Sequence, residues 1–275
     1  LHRRRHSFPT RRSSDLQCND YWFGVSYQND AFHEAAGKVA ADRGFKKMVI
    51  MAPDYPAGKD ALNGFKRGYK LAPNQEVYTK LGQIDYAAEL AQIRDVKPDA
   101  IYIFLPGGMG INFVKQFVSA GLNQSVKLVG PGFSADEDVI QAVGEPLVGM
   151  FNTAQWAHDL DNAQNKKFVE AFRKEYNNRN PSVYAAQAYD TIMSIDAAAK
   201  ATGGKVADRE AVIAALKKAD FSSVRGSFKY GANNFPIQAL YVRVVEKGAD
   251  GRITNKLVGK VFDSYQDVYV GECKK

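Results

Sequence analysis

Residues 97–122 read KPDAIYIFLPGGMGINFVKQFVSAGL, and their pattern gives the clearest indication of the fold class. The apolar run AIYIFL at residues 100–105 is typical of a strand that is buried on both faces of a sheet. The glycine-rich turn LPGGMG follows it, and apolar residues at helical spacing then predict a helix over residues 110–122. A buried strand that leads through a glycine turn into a helix indicates an α/β fold built on a parallel sheet.

The same alternation extends in both directions from this unit. Helical patterns alternate with short apolar runs throughout residues 31–156, in the order αβαβαβαβαβ. We therefore expect residues 31–156 to form one complete, doubly wound α/β lobe with a parallel sheet. The predicted helices are residues 31–43, 56–70, 85–96, 110–122 and 136–144, and the predicted strands are residues 48–53, 77–81, 100–105, 127–131 and 149–156.

The pattern changes after Trp156. No parallel run begins this part of the chain, so it resembles only part of a lobe. We expect residues 17–30 and 157–275 to supply the remainder of a second lobe, the hinge and a C-terminal segment. The predicted helices here are residues 162–177, 183–201 and 208–219, and the predicted strands are residues 226–230, 238–247 and 256–262.

The first sixteen residues distort the charge of the chain. The formal net charge is +7, but residues 1–16 (LHRRRHSFPTRRSSDL) hold five Arg and one Asp and contribute +4, which leaves +3 for residues 17–275. This segment resembles translated sequencing-adapter sequence, so we expect a non-native tail on a chain that lacks its true N-terminus. The alternative is a genuine basic arm that contacts nucleic acid or lipid. Elsewhere acidic and basic residues are interspersed, which does not favour a nucleic-acid partner.

Hydropathy and cysteine content exclude further classes of protein. The mean hydropathy is -0.36, and no apolar run approaches the roughly 18 residues of a membrane span. Cys18 and Cys273 are too few for a disulfide scaffold or a cysteine-rich zinc site. The two cysteines either pair or stay free, and we favour a disulfide because nothing near them suggests a reactive thiol.

The sequence offers no recognisable catalytic, metal or cofactor site. His33 falls on the polar side of its predicted helix and His158 in a loop, so both are predicted to be solvated. A Gly-x-Ser-x-Gly elbow is absent, and His158, Asp159 and Asp161 lack the spacing of a metal triad. The glycine turn GGMG departs from the GxGxxG pattern, so we expect no nucleotide cofactor. These observations predict a protein that is not an enzyme.

Loops that follow consecutive predicted strands supply aromatic and glycine residues. In an open parallel sheet, ligands bind beyond the carboxyl ends of the strands. These loops offer open backbone, ring faces and one hydroxyl, which suits binding of a small molecule, and they lack an acid–base pair for converting it. The candidate ligand contacts are Tyr55, Gly107, Gly108, Gly132 and Phe133.

Several segments together resemble the type I periplasmic solute-binding proteins, in particular the leucine/isoleucine/valine-binding branch that serves ABC importers. Each match is short, and their number and order make the resemblance specific over about residues 18–275. The segments are KKMVIMAPDYPAGKDALNGFK (residues 46–66), the stretch 97–122 quoted above, VGPGFSADE (129–137), AAQAYDTI (185–192) and RGSFKYGANNFPIQALYVRVV (225–245).

This resemblance implies two doubly wound α/β lobes joined by a hinge, with the first lobe incomplete in this chain and a ligand trapped by hinge closure. It also implies a periplasmic, non-catalytic receptor without a cofactor, whose partner is an ABC permease. Structural roles compete with binding at each implied contact: packing for the aromatic residues and turn formation for the glycines. The implied contacts are Tyr55, Gly107, Gly108, Gly132 and Phe133 from one lobe, and Tyr184 from a helix of the other.

One departure from the family pattern bears on the ligand. Members that bind amino acids usually place a carboxylate in the loop occupied here by Gly132, where it meets the ligand ammonium. Gly132 cannot supply that group, and Asp136 or Glu137 would be less well placed. With Phe133 and Tyr184 nearby, an aromatic or apolar carboxylate becomes a rival to a branched-chain amino acid. The alternative function is a ligand-sensing module of the same fold in a regulator or signalling receptor.

Overall fold

The computed structural model describes residues 18–273. Residues 1–16, where a foreign tail is predicted, lie outside them. Within this range the strands are β1 Met48–Pro53, β2 Gln75–Thr79, β3 Ala100–Ile103, β4 Lys127–Pro131, β5 Phe151–Ala154, β6 Phe228–Tyr230, β7 Pro236–Lys247 and β8 Ile253–Tyr265. The α-helices are α1 Ala31–Asp42, α2 Pro56–Tyr69, α3 Ala87–Val96, α4 Gly108–Ser119, α5 Glu137–Val143, α6 Ala163–Glu175, α7 Val183–Ala201 and α8 Arg209–Lys218.

The first five strands form a parallel sheet in the order β2-β1-β3-β4-β5. Helices α1 and α2 pack on one face of this sheet, and α3, α4 and α5 pack on the other. The alternating pattern of residues 31–156 and the predicted α/β fold are therefore confirmed.

Strands β1 and β3 are buried along their whole length, as their apolar runs predict. Successive side chains point to opposite faces. Val49 and Ile101 therefore join the core beneath α3 and α4, whereas Ile50 and Tyr102 join the core beneath α1 and α2. The two clusters hold the sheet between two layers of helices.

The chain returns to the same sheet after α8. Strand β7 pairs antiparallel with β5, and β8 pairs antiparallel with β7, so the predicted late strands extend the parallel sheet. The division into a complete lobe at residues 31–156 and a partial lobe from residues 17–30 and 157–275 stays a prediction. Within the described part of the chain, no helix is both long enough and apolar enough to cross a membrane.

Two element boundaries differ from the prediction for local reasons. Helix α3 begins at Ala87, and Tyr86 is its N-cap. Asp85 lies one residue before the cap, where it accepts a hydrogen bond from the Ala87 N–H (3.1 Å). Helix α4 begins at Gly108, two residues before the predicted start. Gly107 ends the preceding turn with φ +58°, a conformation that favours glycine.

Helix α1 is covered on two sides, which corrects the prediction that His33 is solvated. A Cβ placed on Gly68 would lie 1.9 Å from the Glu34 carbonyl oxygen, and one on Gly37 would lie 2.0 Å from that of Phe65. These glycines therefore let the backbones of α1 and α2 touch. Because α2 closes over the polar-looking side of α1, His33 is fully buried.

We expect Gly68→Ala to destabilise the protein, because the new methyl group would overlap the carbonyl of Glu34. Overpacking of this kind costs about 1–3 kcal/mol. The free energy of unfolding in urea measures the effect. Gly271→Ala is the matched control, since its added methyl group meets nothing within 4 Å. Equal stability of the two variants would contradict the backbone contact between α1 and α2.

Cys18 and Cys273 form a disulfide with Cα atoms 5.7 Å apart, in agreement with the favoured interpretation of the two cysteines. We expect replacement of both by Ser to lower the free energy of unfolding by about 2–5 kcal/mol, because the cross-link restricts the unfolded chain. Urea denaturation with and without a reductant measures this. The bond contributes nothing if a reductant leaves the stability of the unaltered protein unchanged.

Candidate ligand-binding site

The loops after β1, β3 and β4 lie side by side at the carboxyl edge of the sheet. These strands are parallel neighbours, with Met51 beside Ile103. The ring of Tyr55, after β1, lies nearly parallel to that of Phe104, after β3, with centroids 6.3 Å apart. The ring of Phe133, after β4, meets Phe104 edge-on at 5.8 Å. The structure thus brings Tyr55 and Phe133 together through Phe104, which the apolar run AIYIFL predicts to be part of the strand but which follows it.

Gly107 and Gly108 are exposed at the same edge, where α4 begins. Gly107 is required by its positive φ, whereas Gly108 is required neither by φ nor by space, since an added Cβ there meets nothing within 4 Å. The first N–H groups of a helix lack intrahelical partners and carry partial positive charge. The turn can therefore donate hydrogen bonds to an anionic group.

Gly132 is buried beneath the surface on which Phe133 lies. A Cβ on Gly132 would lie 2.8 Å from both the Cβ of Ala154 and the carbonyl oxygen of Thr153. Its own carbonyl accepts a hydrogen bond from Nη2 of Arg243 (3.1 Å). Space therefore explains why this position carries no side chain, and a carboxylate could not be placed there without moving β5.

Phe133 continues into a second group of rings that includes Tyr27. Tyr27 stacks on Phe32 with centroids 4.0 Å apart and lies 6.5 Å from Phe133. Burial, with an electrostatic contribution from Tyr184, raises the pKa of Tyr27 well above its ordinary value. Tyr184, at the start of α7, is half exposed and interacts electrostatically with Tyr27. Sequence reasoning missed Tyr27, because it lies before the first helix in a segment without periodicity.

His33 lies behind this aromatic surface. Its Nδ1 is hydrogen-bonded to the Tyr102 hydroxyl, and its ring meets Phe104 edge-on at 5.0 Å. Burial, with a smaller contribution from Arg67, lowers the pKa of His33 to about 3, so the ring is neutral at physiological pH. His158 is half-buried in the loop after β5, where burial lowers its pKa. Neither histidine has the solvated setting predicted for it.

Both carboxylates near Gly132 are engaged within the protein. Oδ2 of Asp136 accepts a hydrogen bond from the Val183 N–H (2.9 Å), and Oδ1 lies 3.7 Å from Nη1 of Arg243. Oε1 of Glu137 accepts a hydrogen bond from the Asn255 N–H (3.0 Å). Asp136 and Glu137 are 2% and 6% exposed. Neither side chain is therefore presented to a ligand at this edge.

Other features of the described residues lie apart from this edge. Residues 18–273 contain no group of three or more His, Cys, Asp and Glu side chains that could hold a metal ion. A separate hollow of about 430 Å³ lies between β7, β8 and the loop after β5, and Leu160, Arg225 and Tyr241 are among its lining residues. It includes none of the predicted ligand contacts.

A comparison with known protein families agrees with this fold. Residues 3–251 match the family described as periplasmic binding protein. The chain belongs to the periplasmic binding protein family. The resemblance inferred from the sequence segments is thereby confirmed.

A curated relative within the family shows how much of a longer protein the chain represents. The chain is 33% identical over 237 residues to Leu/Ile/Val-binding protein homolog 6 of Brucella melitensis biotype 1, a match that covers 84% of this chain and 60% of that protein. The chain thus spans about 60% of the length of the curated relatives that it matches.

Solved structures of ABC-transporter solute-binding proteins have the same fold. One from R. palustris, in complex with benzoate, is 33% identical, with a TM-score of 0.83, and the match covers 95% of this chain and 71% of that one. Another, from Rhodopseudomonas palustris BisB5 in complex with 3,4-dihydroxy benzoic acid, is 35% identical, with a TM-score of 0.77, and covers 89% and 68%.

The burial of Asp136 predicts that its contribution to the stability of the protein falls as the pH rises. Burial raises its pKa from 3.8 to about 6 despite the neighbouring Arg243. Between these values the folded protein binds more protons than the unfolded chain, so ionisation of Asp136 costs stability as the pH rises through 6. We expect the unaltered protein to gain about 2 kcal/mol relative to Asp136→Asn between about pH 7.5 and about pH 4.5. Urea denaturation at both pH values measures this, and a constant difference would contradict the raised pKa.

Proposed function

We propose that this chain is part of a non-catalytic solute-binding receptor of an ABC importer, and that its ligand is a small aromatic carboxylate. The observation that carries the ligand class is an edge at which Tyr55 and Phe133 pack against Phe104, beside two buried carboxylates, those of Asp136 and Glu137. Family membership supports the receptor role, a periplasmic location and an ABC permease as partner.

Charge favours an aromatic acid over a branched-chain amino acid. An amino acid carries an ammonium group that needs a carboxylate when it leaves water. Asp136 and Glu137 are bonded within the protein, so neither is presented to that group. An aromatic acid needs only donors for its carboxylate and ring faces for its ring. The start of α4 offers the donors, and the partly exposed rings of Tyr55 and Phe133, packed against Phe104, offer the faces.

Two related proteins support the same ligand class. The R. palustris protein was solved with benzoate, and the protein from strain BisB5 with 3,4-dihydroxy benzoic acid. In this chain, Tyr184 would contact the ligand from α7 while Tyr55 and Phe133 contact it from the sheet edge. A ligand that touches both sides stabilises the arrangement in which they are close.

We expect the protein to bind benzoate more tightly than leucine, and Tyr55→Ala to weaken benzoate binding by about tenfold through loss of a ring contact. Isothermal titration measures both affinities. Tyr176→Ala is the matched control, since Tyr176 is a half-exposed tyrosine at the end of α6 whose ring packs on Phe172 of the same helix. Its benzoate affinity should equal that of the unaltered protein.

Gly108→Ala separates binding from folding at the glycine turn. The added methyl group meets no atom within 4 Å, so the stability of the protein should not change while a ligand against the turn is displaced.

Preference of the unaltered protein for leucine over benzoate would contradict the ligand class. Absence of binding to both benzoate and leucine would contradict the receptor role.

A further inference from the structure

A buried ion pair lies between the two sides of the candidate site, which are the Gly132–Phe133 loop at the sheet edge and the start of α7 with Tyr184. Asp136 follows the Gly132–Ala135 turn after β4, and Arg243 comes from β7. The Arg243 and Asp136 side chains are 1% and 3% exposed, and Nη1 lies 3.7 Å from Oδ1. Each partner also binds a different part of the site.

Arg243 binds the side of the site formed by the sheet. Its Nη2 donates to the carbonyl of Gly132 (3.1 Å), its Nε to Oδ1 of Asn152 (2.8 Å) and its Nη1 to the carbonyl of Trp156 (3.3 Å). One guanidinium therefore ties the loop that carries Phe133 to β5 and to the residues that follow it.

Asp136 binds the opposite side. Its Oδ2 accepts the N–H of Val183, the first residue of α7, at 2.9 Å. The next residue is Tyr184. A carboxylate at this end of a helix also interacts favourably with the helix dipole. A chain of contacts thus runs from Gly132, through Arg243 and Asp136, to the first turn of α7, which carries Tyr184.

Stabilisation of the fold does not by itself account for the Asp136–Arg243 ion pair. A buried ion pair is often no more stabilising than apolar residues of the same size, because both charges lose their hydration. The Asp136 carboxylate also interacts electrostatically with Glu137, Tyr27 and Tyr184. The Arg243 guanidinium interacts in the same way with Glu137 and Asp159. Removing one partner, however, leaves the other charge buried and unmatched, so the pair holds its surroundings in one arrangement.

We propose that Asp136 and Arg243 are positioning residues that fix Tyr184 relative to the Gly132–Phe133 loop and thereby set ligand affinity. The part that concerns affinity rests on the proposed function. The hydrogen bond from the Val183 N–H to Asp136 is independent of the proposed function, and it can be measured without a ligand.

Hydrogen exchange at the Val183 amide tests the link directly. Asp136→Ala removes the acceptor, so the protection factor of Val183, measured by NMR, should fall by about tenfold or more relative to that of Ile101 in β3. Asp136→Asn keeps an oxygen in place and should restore much of the protection. If Asp136→Ala does not fold, the comparison of Asp136→Asn and Arg243→Lys with the unaltered protein reports on the same amide.

A control at the opposite edge of the sheet separates this effect from general loosening. Asp99 Oδ2 accepts the N–H groups of Lys46 and Lys47, both at 2.8 Å. Asp99→Ala should lower the protection of those two amides and leave Val183 unchanged. An unchanged Val183 in Asp136→Ala, or an equal loss in Asp99→Ala, would overturn the proposal.

Benzoate titration completes the test. The unaltered protein is titrated first with benzoate and leucine, and absence of binding there contradicts the proposed function. If benzoate binds, Asp136→Ala should weaken the affinity about tenfold or more, Asp136→Asn should recover part of it, and Asp99→Ala should match the unaltered protein. Unchanged affinity in Asp136→Ala would overturn the positioning role while leaving the proposed function intact.

Discussion

Parallel pairing of β1, β3, β4 and β5 is the constraint on which the candidate site depends. Because neighbouring parallel strands end at the same edge, Tyr55 and Phe133 become neighbours although they lie far apart in sequence. Phe104 turns this proximity into contact, since its ring meets both of theirs. The exposed glycines at the start of α4 lie at that same edge and leave the backbone of the helix accessible.

The fold of residues 31–156 could be predicted because burial on both faces leaves a local trace in the sequence. β1 and β3 consist of consecutive apolar residues, and every one of these positions is buried. The glycine turn and the loops at the carboxyl edge followed from that pattern without knowledge of contacts. Phe104 was missed for an equally local reason: AIYIFL looks like one strand, but β3 ends at Ile103 and the next ring crosses the edge.

The interactions that sequence reasoning missed join residues whose neighbours are set by the tertiary fold. His33 has the spacing of a polar helix face, and it is buried because glycines in α1 and α2 allow the two backbones to meet. Arg243 lies within ALYVRVV, where nothing local indicates that β5 and the Gly132 turn will enclose it. The electrostatic interaction of Tyr27 with Tyr184 likewise depends on where α7 begins, which no pattern near Tyr27 indicates.

The positions of the carboxylates then decide which ligand charge this edge can accommodate. Asp136 and Glu137 are turned into the protein, and Arg243 points inward to Gly132, so these three charges do not act on a ligand by direct contact. Backbone donors at the start of α4 can meet an anion, and ring faces can meet an apolar body. A zwitterionic amino acid would find both carboxylates beside Gly132 already engaged within the protein, whereas an aromatic monoanion needs neither of them. The preference for an aromatic acid therefore follows from buried carboxylates more than from the number of aromatic rings.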